Sequence, residues 1–168
     1  SSQSEEKEAN DIKGSALFFR AYSNWIMAQS FCKGYNKNTA GTDLGLPIRL
    51  NSNVTEKYKR STVEQTYQQI LSDLMGALPL LPDTADVKYH VSKAATFGML
   101  SISYMAMQDY EKAGIYADSC LFIYNLLMDY NNDANINPSS TTAPFARWNK
   151  EVIFDASSLP ATSLARTR

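Results

Sequence analysis

Two adjoining segments constrain the fold of this chain more than anything else in it. The first reads Lys93-Ala94-Ala95-Thr96-Phe97-Gly98-Met99-Leu100-Ser101-Ile102-Ser103-Tyr104, and the second reads Asp109-Tyr110-Glu111-Lys112-Ala113-Gly114-Ile115-Tyr116-Ala117. Phe97, Leu100, Tyr104 and Ala113 fall at the bulky, apolar, aromatic and small packing positions of a repeat-type helical hairpin. Gln108-Asp109-Tyr110 supplies the tight turn between the arms. A hairpin of this kind cannot bury its apolar face alone and must stack on a neighbour. The chain therefore reads as a helical scaffold, and function is to be sought on its surfaces and loops.

The neighbouring hairpin is legible upstream. From Glu5 to Phe31, Ile12, Ala16, Phe19, Tyr22 and Ile26 recur at spacings of three and four, and Leu17, Phe18, Ala21 and Trp25 widen the apolar face. The spacing predicts one long helix covered on two sides, locally weakened at Gly14. A second helix is predicted from Ser61 to Pro79. Ser61-Thr62-Val63-Glu64 reads as its capping box, and Val63, Tyr67, Ile70, Leu71, Leu74 and Leu78 as its stripe. Pro79 and Pro82 close it. Between these helices, residues 33–60 form a long loop punctuated by Gly34, Asn36, Asn38, Gly41, Asp43, Gly45 and Pro47, with Leu46–Leu50 extended. Ser92 is the expected N-cap of the third helix, which runs to Met107. Asp109 is the expected cap of the fourth, which runs to Met128 with Ala113, Tyr116, Ala117, Cys120, Leu121, Tyr124 and Leu127 inward. The expected fold class is all-α, with hairpin 1 built from 5–31 and 61–79 around the inserted loop and hairpin 2 from 92–128. Residues 129–168 form an irregular tail in which Val152-Ile153-Phe154 reads as a short strand. The unpatterned end, Ser157–Arg168, is expected to be poorly ordered and to lead into a missing region.

Composition closes off several function classes. The net charge is −1 and there is no basic run, which argues against nucleic acid as a partner, because phosphate neutralisation needs clustered Lys and Arg. No stretch approaches the roughly 20 apolar residues of a membrane span. The chain opens Ser1-Ser2-Gln3 without Met, so a longer precursor carrying the targeting signal is expected. The two cysteines, Cys32 and Cys120, match no metal motif. Cys120 reads as a small buried hydrophobe, and a Cys32–Cys120 bridge stays open. Asp129, Asn131, Asp133 and Asn135 have calcium-loop spacing, but Ala134 and Ser140 replace the glycine and the bidentate glutamate. A polar loop is the better reading. His90, the single histidine, and the Asp83/Asp86 pair lie in a linker. With no phosphate loop, dinucleotide fingerprint, zinc motif or nucleophile elbow, neither a cofactor nor catalysis is expected.

The hairpins are similar to tetratricopeptide repeats, and the whole arrangement resembles the SusD/RagB family of Bacteroidetes outer-membrane lipoproteins. The resemblance is carried by Leu17-Phe18-Phe19-Arg20-Ala21-Tyr22, by Asp43-Leu44-Gly45-Leu46-Pro47-Ile48, by Arg60-Ser61-Thr62-Val63-Glu64-Gln65-Thr66-Tyr67 and by Ile70-Leu71-Ser72-Asp73-Leu74 with Leu81-Pro82. Lys93-Ala94-Ala95, Asp109-Tyr110-Glu111-Lys112-Ala113 and Asn149-Lys150-Glu151-Val152-Ile153-Phe154 complete it. It implies a lipid-anchored nutrient-binding protein at the cell surface, with the anchor outside this chain. Such a protein captures oligosaccharides, or in some relatives peptides, for a SusC-like TonB-dependent transporter. Members are usually much longer, with a large irregular region bearing much of the ligand site.

Sugar capture calls for aromatic faces beside polar side chains. Tyr35, Asn36, Asn38 and Tyr58 in the long loop, and Trp148 between Arg147 and Asn149, have that chemistry. The competing reading is that these aromatics only pin their loops to the scaffold. Arg20, charged and mid-helix, is expected to form a structural ion pair or hydrogen bonds to loop carbonyls, with Asp73 as a candidate partner. The competing function is a tetratricopeptide-type adaptor gripping a partner protein or peptide, which the 33–60 insertion disfavours.

Overall fold

The helical periodicity resolves into four α-helices in the computed structural model, which describes residues 2–53, 55–133, 136–137, 139 and 145–156. Helix α1 spans Ser2–Phe31, α2 Val63–Ala77, α3 Lys93–Ala106 and α4 Tyr110–Ile123. α1 packs on α2 and α3 on α4, and contacts between α2 and α3 join the two hairpins. Among the described residues there is no strand. Isolated antiparallel bridges link Leu44 to Thr62 and Ile136 to Phe145.

Local chemistry sets the helix ends. Ser92 and Asp109 cap α3 and α4 as expected, accepting from the backbone N–H of Ala95 and Lys112. The cap of α2 lies one residue later than its sequence suggests. Thr62 accepts from Gln65 N–H and Gln65 reaches back to Thr62 N–H, so the capping box is Thr62/Gln65 and not Ser61/Glu64. Ser61 and Glu64 are occupied elsewhere: the Ser61 hydroxyl donates to the Leu46 carbonyl at 2.6 Å, and Glu64 accepts the Tyr35 hydroxyl. Leu78–Leu80 tighten into a 3₁₀ turn carrying Pro79, which takes the chain off α2. Gln108 turns the second hairpin with φ of 61°.

The core runs through both hairpins: Phe18 and Ala21 of α1, Ile70 and Leu74 of α2, Met99, Leu100 and Tyr104 of α3, and Ala113 of α4. The buried face of α1 is rotated from the expected stripe. Gly14, Phe18, Ala21 and Ala28 are inward, while Ile12, Phe19 and Ile26 are exposed. Gly14 is what lets α1 approach the Leu80–Leu81 segment, since a Cβ there would stand 2.9 Å from the Leu81 side chain. The Arg20 guanidinium reaches the buried Asp73 carboxylate at 2.5 and 2.7 Å, the expected pair, which pins α1 to α2.

Helix α4 ends at Ile123, short of Met128, and Leu121 and Leu127 are exposed, not inward. The helix stops because Tyr124 turns extended, with φ −141° and ψ 102°, and its hydroxyl donates to the Lys150 carbonyl while accepting from Lys88. Val152–Phe154 is likewise not a strand. Its residues are half-buried, and Phe154 drives edge-on into Phe18 with ring centroids 5.0 Å apart. Cys32 and Cys120 are both free thiols, so the bridge is not formed. Burial raises the Cys120 pKa. Ser157–Arg168, expected to be poorly ordered, lie outside the described residues.

Candidate functional site

The long loop has a docked part around 43–46 and a largely exposed part after it. The docked part reaches the start of α2 through backbone bonds: Gly45 N–H to Ser61 O at 2.7 Å, Ser61 N–H to Leu46 O at 2.9 Å and Val63 N–H to Asp43 O at 2.9 Å. Gly45 is buried in this seam, where a Cβ would fall 2.2 Å from the Thr62 carbonyl oxygen. Arg60 ties it further, donating to the carbonyls of Gly45, Leu44 and Phe31.

The loop candidates occupy different surroundings. Tyr35 is half-buried, edge-on to Tyr67 at 5.2 Å, and donates its hydroxyl to Glu64. Burial, then the Glu64 carboxylate, push its pKa up to about 12. Asn36 accepts the backbone N–H of Asn38 at 2.9 Å in a local turn, and Asn38 is exposed. Tyr58 donates to Glu56 at 2.7 Å beneath the Arg49 guanidinium, 5.3 Å from the ring centroid. Tyr35 is thus engaged with α2, Asn36 with Asn38, and Tyr58 with Glu56 and Arg49.

Trp148 lies elsewhere, and it has company. The exposed side of α1, the linker before α3 and the segment 145–156 enclose an open cleft of about 700 Å³ lined by Phe19, Tyr22, Ile26, Tyr89, Trp148 and Phe154. Trp148 and Tyr89 are each 53% exposed, so both rings keep accessible faces, and their centroids are 6.2 Å apart. A second recess of about 600 Å³ continues past Phe19 and Tyr89 to Ile12, Asp11, Asp86 and His90. His90 meets Tyr89 edge-on at 5.0 Å. Asp155, Arg147 and the Trp148 indole N–H are held by one another. Asp155 accepts the Trp148 indole N–H at 2.6 Å and Arg147 Nε at 2.9 Å, and the Arg147 guanidinium stands 5.3 Å from the Trp148 ring.

Contacts to α1, to the linker before α3 and to the stretch after α4 latch the segment bearing Trp148 in place. Phe154 enters the core beside Phe18 and Tyr22, the Asp155 backbone N–H donates to Lys88 O at 2.7 Å, and Glu151 accepts from Met128 N–H and the Tyr130 hydroxyl. The sequence pointed to Trp148 through its polar flanks. It did not point to Phe19 and Ile26, which periodicity assigned to the core, or to Tyr89, which carries no local signal beyond its place beside His90.

The calcium-spaced loop is organised by protein groups. Asp129 accepts from Asn131 N–H and the Asn132 amide, the latter being the main cause of its lowered pKa. Asp133 pairs with Lys150 at 2.6 Å. Ala134, Asn135 and Ser140 lie outside the described residues. Among the described residues, no group of three or more His, Cys, Asp and Glu side chains is placed to hold a metal ion.

The cleft's chemistry, flat apolar ring faces rimmed by hydrogen-bonding groups, suits the C–H face and hydroxyl edge of a sugar ring. Residues 1–105 match a SusD-like family model described as starch-binding and associating with the outer membrane. Among solved structures, the chain is similar to a SusD superfamily protein from Bacteroides thetaiotaomicron, with 32% identity and a TM-score of 0.67 over 74% of this chain and 28% of that one. It is also similar to a SusD-like carbohydrate-binding protein from Bacteroides vulgatus, with 30% identity and a TM-score of 0.65 over 74% of this chain and 27% of that one. A further SusD superfamily protein from Bacteroides vulgatus shares 27% identity at a TM-score of 0.62, over 69% of this chain and 26% of its own. The chain thus spans little more than a quarter of the length of these proteins. No curated protein matches it.

Proposed function

The chain belongs to the SusD-like family, and from that premise we propose that it forms part of a cell-surface protein that captures oligosaccharides for import. The observation that carries this reading is the Trp148–Tyr89 cleft. Two half-exposed rings stand close together over an apolar floor of Phe19, Ile26 and Phe154, and the neighbouring charges are already paired. A pyranose laid on such rings displaces water from two apolar surfaces and keeps its hydroxyls at the polar rim. The mechanism is passive: stacking and hydrogen bonding hold the glycan, and release delivers it to a SusC-like TonB-dependent transporter.

The family's outer-membrane association supports a lipid-anchored placement at the cell surface. Among the described residues, no helix is long and apolar enough to cross a membrane. The adaptor alternative expects short loops and near-identical repeats, and the long 33–60 insertion, docked around 43–46, departs from that pattern. Calorimetric titration of the full-length protein with maltohexaose and a panel of other glycans tests the reading. Trp148→Ala and Tyr89→Ala should each weaken binding about tenfold, as loss of an aromatic anchor does. Binding unchanged in both variants, or silence to every glycan alongside capture of peptides, would overturn it.

A further inference from the structure

We propose that Asp155 is the positioning residue of this cleft, setting the angle and depth at which Trp148 meets a ligand. The inference rests on the reading that the Trp148–Tyr89 cleft takes a sugar. A half-exposed indole on an irregular segment has no helix to fix its rotamer, and an exposed aromatic free to turn loses entropy when it binds. Here the ring is held at its N–H edge and across one face. Its N–H is drawn to Asp155 Oδ2 at 2.6 Å, a short charge-assisted bond. The same oxygen holds Arg147 Nε at 2.9 Å, and Arg147 lies across the indole.

Asp155 also fixes the other side of the cleft. Its backbone N–H donates to the carbonyl of Lys88, immediately before Tyr89, at 2.7 Å. The residue before it, Phe154, is anchored in the core against Phe18. One residue thus couples the segment carrying Trp148 to the linker carrying Tyr89, with the core as reference. Its side-chain bonds set the Trp148 ring, and its backbone bond sets the separation of the two segments. The side chain is 19% exposed, so its bond to the indole is partly shielded from water and retains its strength.

The test uses the full-length protein labelled with fluorotryptophan, the Trp148 resonance being assigned by its disappearance in Trp148→Phe. Asp155→Ala removes the acceptor for the indole and keeps the backbone bond to Lys88. Asp155→Asn keeps an acceptor oxygen without the charge. The expected result is a Trp148 resonance that shifts and broadens in Asp155→Ala and stays near its original position in Asp155→Asn. Maltohexaose affinity should fall about tenfold in Asp155→Ala, as expected for loss of a charged hydrogen bond, and recover to within about threefold in Asp155→Asn. A Trp148 resonance unmoved in Asp155→Ala overturns the proposal, as does equal loss of affinity in both variants. Should the unmodified protein bind no glycan while the resonance pattern is as expected, the positioning role stands and the sugar reading fails, so the two are separable. If Asp155→Ala does not fold, the Asp155→Asn resonance decides: a large shift there overturns the role of the acceptor.

Discussion

Arg20→Ala should cost more stability than Asp73→Asn, although both cut the same ion pair. The asymmetry comes from burial: the Asp73 side chain is 3% exposed and that of Arg20 is 38% exposed. The carboxylate receives Arg20 Nε at 2.7 Å, Arg20 Nη2 at 2.5 Å and Gln69 Nε2 at 2.8 Å. The hydrogen bonds to Asp73 in turn raise the Arg20 pKa. Without Arg20, a charge closed off from water is left with the Gln69 amide as its remaining side-chain donor. Removing one partner of a buried pair costs about 3–5 kcal/mol, and the surviving Gln69 bond places this case near 3. Without the Asp73 charge, the guanidinium can turn toward solvent, and the loss should be about 1 kcal/mol, as for a surface pair. With a urea m-value of about 2 kcal/mol/M, the midpoint should fall by about 1.5 M for Arg20→Ala and about 0.5 M for Asp73→Asn. Urea unfolding followed by far-UV circular dichroism measures both. Equal midpoints, or a larger drop for Asp73→Asn, would refute the argument from unequal burial.

Three further outcomes follow from the geometry. Gly45→Ala should destabilise by about 2–3 kcal/mol in the same assay, because its Cβ would press on the backbone of Thr62; Gly34→Ala, which meets nothing within 4 Å, should be close to neutral. Gln108→Gly should raise stability by about 0.5–1 kcal/mol, read as a higher urea midpoint, by relieving the left-handed turn at φ 61°. Tyr35, whose pKa rises from 10.0 to about 12 on folding, contributes stability that is complete below about pH 10 and is lost as pH climbs through its folded value. Tyr35→Phe should therefore flatten the alkaline limb of a midpoint-against-pH curve, and an unchanged limb would contradict the assignment.

Ser92, Asp109 and the Gln108 turn act through neighbours a few positions away, so they were readable in one dimension. The shift from Ser61/Glu64 to Thr62/Gln65 was not, because Leu46 and Tyr35, distant in sequence, claim the side chains that a local rule would use. The long helix α1 shows the same limit. Its apolar residues run so far around the axis that periodicity alone could not choose a face, and contact with α2 and Leu81 selected Gly14, Phe18 and Ala21.

Local spacing by itself determined four helices, two antiparallel hairpins and an inserted loop, while the family was legible only as a resemblance of ordered motifs. Those features rest on interactions within a turn or two of the backbone and on patterns the chain carries in order. Tertiary structure alone decided that Tyr35 faces α2, that α4 stops at Tyr124, and that Phe19, Tyr89 and Trp148 share a cleft. The physical reason is separation. Residues from α1, a linker and a distal segment meet only because Phe154 and Asp155 are drawn onto core and linker contacts formed by far-removed parts of the sequence.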